Sequence, residues 1–206
     1  MDPRHPQENT PAAEAIRLLK SGGVVILPTD TIYGLSAPLS SEAGFNRVLQ
    51  LKQSGSDKNL LLIASSLDMV ERYIASWGCA SKALMESIWP ASLTGIFASG
   101  SECPEWIGKT VALRIPDAPE LTRIVEEVGE PVFSTSVNRG GEPPLTDLDA
   151  IRSEFGGLVD LIVEGDMPES CLPSTIVDYS GQRAVLVRQG SYPWAGGGNP
   201  SKWRSL

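Results

Sequence analysis

Val24-Val25-Ile26-Leu27-Pro28-Thr29-Asp30-Thr31-Ile32-Tyr33-Gly34-Leu35 sets the pattern for the rest of the chain. Its first four residues are apolar and rich in β-branching, the composition of a short buried strand. Pro28 removes a backbone donor and ends the run. Thr29 to Gly34 are therefore predicted to form the loop or turn at the strand's end, with polar side chains facing whatever the strand points at. Upstream, Thr10 followed by Pro11 has the order of a helix N-cap and first helical residue. Ala15, Ile16, Leu18 and Leu19 supply an apolar face, and Gly22-Gly23 stop the helix.

Downstream the alternation continues. Ser41 opens a helix carrying Phe45, Val48, Leu49 and Leu51, Leu60 to Ile63 reads as a buried strand, and Ser66 opens a helix through Val70 and Ile74. Thr110 to Ile115 alternates as a strand, Asp117 to Val128 has helical spacing closed by Gly129, and Pro131 to Ser136 is a further strand. A helix from about Asp147 and strands near Leu161, Ile176 and Val185 complete the map. The predicted class is α/β: a twisted, largely parallel mixed sheet with flanking helices, antiparallel edges in the strand-rich final third, and a single domain over residues 10–192. Residues 1–9 and 193–206, the latter with Gly196-Gly197-Gly198, are expected to be loose termini.

Composition excludes several functions. The 206 residues are 41% hydrophobic and 20% charged, enough for one substantial core. No apolar run approaches a membrane span, and Met1 to His5 lack the order of a signal peptide, so a cytoplasmic protein without membrane attachment is expected. Cys79, Cys103 and Cys171 are odd in number and far from the single histidine, His5, so neither a disulfide framework nor a zinc site is predicted. A net charge of -8 argues against gripping RNA by broad phosphate neutralisation. Phosphate loops, dinucleotide fingerprints, nucleophile elbows and zinc helices are absent, and a histidine-based triad would have to use His5.

What remains is a set of hydroxyl, amide and cationic residues placed just after strands: Thr29, Asp30, Thr31 and Tyr33; Lys52 and Lys58; Thr94; Thr110 and Arg114; Ser134, Ser136 and Asn138; Ser174 and Thr175; and Arg188. Strand-end loops are where α/β proteins hold ligands. Each residue also has a plainer reading. Thr29 and Thr31 suit a turn, Tyr33 a wall, Trp89 the core, Lys52 and Lys58 a solvated face. An inward Arg114 needs an anion, which a structural aspartate would supply as well as a substrate.

Six blocks in order carry a resemblance to a known family. Pro28-Thr29-Asp30-Thr31-Ile32-Tyr33-Gly34-Leu35, Trp89-Pro90-Ala91-Ser92-Leu93-Thr94 and Val111-Ala112-Leu113-Arg114-Ile115-Pro116-Asp117 come first. Ser134-Thr135-Ser136-Val137-Asn138 with Gly141-Glu142-Pro143, then Pro173-Ser174-Thr175-Ile176-Val177-Asp178 and Val187-Arg188-Gln189-Gly190, follow. Together they resemble the signatures of the YrdC/Sua5 family of L-threonylcarbamoyladenylate synthases, in its short single-domain form.

The resemblance implies a concave cationic pocket and a nucleotidyl transfer: L-threonine, bicarbonate and ATP, with Mg²⁺, give threonylcarbamoyl-AMP and pyrophosphate. Partner proteins then modify adenosine 37 of tRNA, which this chain meets only indirectly. By position in the family pattern, Thr31, Arg114, Ser134 and Ser174 hold threonine. Lys58, Thr110, Ser136, Asn138, Pro144 and Arg188 line the ATP side, and Lys52, Lys58 and Arg114 serve catalysis. One departure stands out: Lys52-Gln53-Ser54 replaces the family's K-x-R. Arg47 and Arg139 are the candidates to supply the missing guanidinium. The other reading is a non-catalytic relative that binds nucleotide or RNA.

Overall fold

The structure is a computed structural model and describes residues 10–53, 61–165, 167 and 172–194. Helix α1 (Pro11–Lys20) begins where Thr10 accepts a hydrogen bond from the Ala13 amide, and buries Ala12, Ala15, Ile16 and Leu19. Next come β1 (Val25–Leu27), β2 (Gly34–Pro38), α2 (Glu42–Lys52), β3 (Leu61–Ile63), α3 (Leu67–Tyr73) and α4 (Lys82–Ile88). Strands β4 (Leu93–Ala98) and β5 (Thr110–Arg114) flank a single 3-10 turn at Glu105–Ile107. They are followed by α5 (Pro119–Val128), β6 (Val132–Ser136), α6 (Leu148–Phe155), β7 (Leu161–Ile162), β8 (Thr175–Asp178) and β9 (Val185–Arg188). Ser41, Ser66, Ser81 and Asp147 each cap the helix that follows, so the local start signals in the sequence translate directly into structure.

One nine-stranded sheet runs β7-β1-β2-β6-β3-β5-β4-β8-β9, with helices packed against it. It is mixed but not largely parallel: of its eight neighbouring pairs only β1/β7, β3/β5 and β4/β8 are parallel. The reason lies in connections too short for a crossover. The six residues from Pro28 to Tyr33 join β1 to β2, and only a 3-10 turn lies between β4 and β5, so each pair folds back on itself. Strand β2 begins at Gly34, where the sequence predicts the end of a loop, and neither it nor β4 is among the predicted strands.

Side-chain alternation then separates core from cavity. Leu93 and Phe97 on β4, Leu113 on β5, Phe133 on β6, Leu62 on β3 and Val177 on β8 are at most 1% exposed and lie in the principal core. Trp89 joins them, donating its indole N–H to the Leu93 carbonyl at 2.7 Å, which bears out its reading as a packing residue. Their sheet neighbours Thr94, Ile96, Ala112, Arg114, Ser134, Ser136 and Ile176 turn to the opposite, concave face. At the other end, β1 is covered on both faces: Val25 and Leu27 enter the principal core, Val24 and Ile26 a second cluster with Val48, Ile151 and Phe155.

Candidate functional site

The concave face encloses a cavity of about 530 Å³, within the size range of small-molecule sites. Four strands and two loops build its polar wall. Ser134 and Ser136 come from β6, Arg114 from β5, Thr94 from β4 and Arg188 from β9, with Thr31 on the 28–33 loop and Ser174 just before β8. Leu61, Ile96, Ile176 and Val187 give the same cavity an apolar side, the usual mixture in which apolar walls take a flat group and a few polar groups fix orientation.

The 28–33 loop satisfies both of its readings. Thr29 is a turn residue: its hydroxyl donates to the Ile32 carbonyl at 2.8 Å and accepts from the Thr31 and Ile32 amides. Thr31 is 3% exposed, and its hydroxyl lies 3.4 Å from Arg114 Nη2. Arg114 does have a structural partner. Nη1 donates to Asp30 Oδ1 at 2.7 Å, and the two side chains are 2% and 8% exposed. The other Asp30 oxygen accepts from the Asp117 amide. Nε of Arg114 has no partner among the described residues, so the Nε–Nη2 edge of the guanidinium, the fork that grips carboxylates side-on, is not taken by a protein carboxylate. Burial lowers the Arg114 pKa, Asp30 opposes that, and the positive charge of Arg188 adds to the lowering.

Arg188 directs Nε and Nη2 at the Ser174 carbonyl, at 3.1 and 2.9 Å. It makes no ion pair among the described residues, and desolvation beside the cavity lowers its pKa. Lys52 stands one hydrogen bond behind the wall. Its Nζ donates to the Ser136 carbonyl at 2.7 Å and to Asn138 Oδ1 at 2.6 Å, and partial burial lowers its pKa to about 8. Asn138 is 8% exposed. It passes the link on through Nδ2 to the Arg139 and Glu142 carbonyls, and thereby shapes the loop that brings Pro144 to the cavity.

Thr31, Arg114, Ser134, Ser136, Pro144, Ser174 and Arg188, all singled out from the sequence, thus meet at one cavity. Lys52 and Asn138 join them only through Ser136. Thr110 is exposed at the far end of β5 and lies beyond the wall. Lys58 and Ser54 fall outside the described residues. The two arginines expected to compensate for Ser54 point elsewhere. Arg47 pairs with Asp160 at 2.6 Å and donates to the Leu158 carbonyl. Arg139 pairs with Glu154 at 2.7 Å, donates to the Leu51 carbonyl and lies over the Phe155 ring. Each is engaged by a carboxylate, and neither lines the cavity. Thr94 was noted in the sequence without a role. Period-2 alternation along Leu93–Ala98 would have turned it to the polar face had that strand been recognised.

Gly190 is fixed by the site. A Cβ there would sit 2.1 Å from the Pro173 carbonyl oxygen and 2.4 Å from the Ser174 carbonyl carbon, both backbone atoms. Gly190→Ala is therefore expected to displace the segment bearing Ser174, to cost about 2–3 kcal/mol of stability and to weaken ligand binding. Gly157→Ala, where a Cβ meets nothing within 4 Å, should melt like the parent. Equal thermal midpoints for the two variants would show that the segment yields freely.

Residues 17–190 match the family model Sua5_yciO_yrdC, described as "Telomere recombination". A protein of Nitrosococcus oceani named threonylcarbamoyl-AMP synthase is 31% identical over 173 residues, covering 82% of this chain and 94% of that protein. One of Escherichia coli O1:K1 / APEC with the same name is 33% identical over 183 residues, covering 86% of this chain and 95% of its own length. The crystal structure of P. abyssi Sua5 complexed with L-threonine aligns with TM-score 0.81 at 26% identity, over 87% of this chain and 54% of that longer one. E. coli YciO shares the fold, with TM-score 0.78 at 24% identity, over 95% of this chain and 94% of the other.

Proposed function

This chain belongs to the Sua5/YciO/YrdC family, and from that premise we propose that it is an L-threonylcarbamoyladenylate synthase, converting L-threonine, bicarbonate and ATP into threonylcarbamoyl-AMP and pyrophosphate. The observation that carries this reading is the convergence of Arg114, Ser134, Ser136, Ser174 and Arg188 on one cavity from separate elements of the sheet.

The chemistry asks for little covalent work. Threonine's amine attacks the carbon of bicarbonate with loss of water to give an N-carboxylate, one of whose oxygens attacks the α-phosphorus of ATP as the bond to the leaving pyrophosphate breaks. Positioning and charge neutralisation dominate such a transfer. Arg114 receives the threonine carboxylate on its Nε–Nη2 edge, while Asp30 holds the opposite edge and fixes the ring's plane. Thr31, Ser134 and Ser174 supply hydroxyls around the same amino acid. Arg188 faces the phosphates, with Ser136 and Pro144 beside the nucleotide, and Lys52 and Asn138 support that side from behind Ser136; Thr110 and Lys58 keep their family roles toward ATP as part of the proposal. Among the described residues no cluster of three His, Cys, Asp or Glu side chains could hold a metal ion, and both Asp30 oxygens are occupied. Mg²⁺ bound to the triphosphate would supply charge neutralisation there, and the protein's own part is to bind and orient.

No helix among the described residues is long and apolar enough to cross a membrane, and a product destined for tRNA fits a cytoplasmic enzyme working with transfer proteins. One observation favours a second reading, a non-catalytic nucleotide-binding relative: neither Arg47 nor Arg139 is free to replace the family's arginine. Pyrophosphate release with threonine and bicarbonate omitted in turn separates the two. Release that requires both co-substrates is the expected result. ATP binding without turnover would sink the synthase reading.

A further inference from the structure

Thr94 has no part in the roles above, yet it is 1% exposed on β4, lines the cavity, and its hydroxyl lies 2.9 Å from that of Ser174. We propose that the Thr94–Ser174 hydroxyl pair reads the side-chain hydroxyl of the substrate amino acid, making Thr94 a specificity-determining residue for β-hydroxy amino acids. The inference rests on the synthase reading and adds to it the group that is recognised.

A count of protons carries it. Each hydroxyl has one proton and two lone pairs. Whichever of the two donates across the 2.9 Å contact spends its proton, and the other keeps its own. Among the described residues Thr94 Oγ1 makes no second hydrogen bond, and the remaining side-chain contact of Ser174 Oγ is with Arg188 Nη2 at 3.4 Å, itself a donor. One unspent proton and an open lone pair are therefore left side by side on a buried wall. A carboxylate would use only the proton and an ammonium only the lone pair. A hydroxyl uses both, whereas a methyl group in its place leaves both unpaired, a costly arrangement away from water.

The sheet register puts the pair where such a hydroxyl would arrive. Gly95 pairs with Leu113 across the antiparallel β4/β5 ladder, so the next residues, Thr94 and Arg114, come opposite each other on the concave face. The Arg114 guanidinium and the Thr94–Ser174 hydroxyl pair line the same cavity, so an amino acid whose carboxylate sits at Arg114 can turn its β-hydroxyl to the pair. Ile96, the next residue on this face of β4, and Ile176, paired with Thr94 across the parallel β4/β8 ladder, offer an apolar wall to a β-methyl group.

The test is calorimetric titration of the whole protein with L-threonine and with L-valine, which replaces the hydroxyl by a methyl at nearly equal volume, alongside pyrophosphate release. The parent should prefer threonine by roughly 100-fold or more. Thr94→Val should reduce that preference at least about tenfold by weakening threonine while leaving valine unchanged. Thr94→Ser, which keeps the hydroxyl, should retain the preference, and Ser174→Ala should lose it as Thr94→Val does. Equal losses for both amino acids in Thr94→Val, or an undiminished preference in a folded Thr94→Val or Ser174→Ala, would overturn the inference while leaving an active parent enzyme intact. A parent that binds neither amino acid and releases no pyrophosphate would overturn the synthase reading together with it.

Discussion

Arg114→Ala is expected to lower the melting temperature by about 10 °C and to abolish measurable threonine binding. Removing the guanidinium strands Asp30, whose side chain is 8% exposed, with only the Asp117 amide for company. Breaking a buried pair from one side typically costs about 3–5 kcal/mol, and in a domain of this size each kcal/mol moves the midpoint by roughly 2–4 °C. Structure and function separate in the double variant Asp30→Asn with Arg114→Met. Removing both charges should recover most of the lost stability, since isosteric replacement of a whole buried pair is often close to neutral. Threonine binding should stay lost, because no guanidinium remains for the carboxylate. A double variant that regains threonine affinity would show that Arg114 is only structural. An Arg114→Ala protein melting within a degree of the parent would show that the pair is not desolvated.

The same residue illustrates what could be read in the sequence. An arginine at an inward position of an alternating strand announces a buried anion, but not which one. The answer, Asp30, lies 84 residues away in sequence and is set by where the 28–33 loop folds back over β5. Local signals fared better. Thr10, Ser41, Ser66 and Asp147 cap their helices, and Gly129 closes α5 with φ of 88°, because caps and left-handed closures depend only on neighbours a turn away. Strand β2 was lost because Gly34, Ser36, Ala37 and Pro38 have little strand propensity of their own. Its five-residue ladder to β6 imposes the conformation. Without β2 and β4 the sequence pattern is a string of strand-helix-strand units, which implies parallel neighbours; the two additional strands take part in four of the pairs and make most of the sheet antiparallel.

Site residues were legible where a motif marks them, although Arg114, Ser134, Ser136 and Arg188 lie within β5, β6 and β9, on the face of the sheet and not in the loops that follow the strands. Side chains whose direction depends on competing partners were not. Arg47 and Arg139 sit in suggestive places in the sequence, but Asp160 and Glu154 claim them. Thr110 shares a strand with Arg114, yet at about 3.3 Å per residue its four-residue separation carries it past the cavity's end.

Under the proposed function Lys52 is a positioning residue for the nucleotide, and its charge should be visible as pH dependence. Its Nζ is held by three neutral acceptors on the 136–138 segment, with no ion pair to a carboxylate among the described residues, and burial lowers its pKa to about 8. A lysine lowered in this way is charged below that value and neutral above it. A bound triphosphate favours the charged form, so affinity is full at pH 7 and falls as pH rises through about 8. The phosphates themselves are already ionised throughout that window. ATP titrations without threonine, from pH 7 to 9.5 at constant ionic strength, should therefore give a dissociation constant that climbs with pH. Lys52→Met should bind ATP about 10- to 100-fold more weakly at pH 7, the range expected for a lost charged hydrogen bond, and its affinity should vary little with pH. Two parallel, flat profiles would mean that the ammonium serves only to clasp Ser136 and Asn138. A parent curve that bends near pH 8 and a flat variant would establish that its charge reaches the cavity through that clasp.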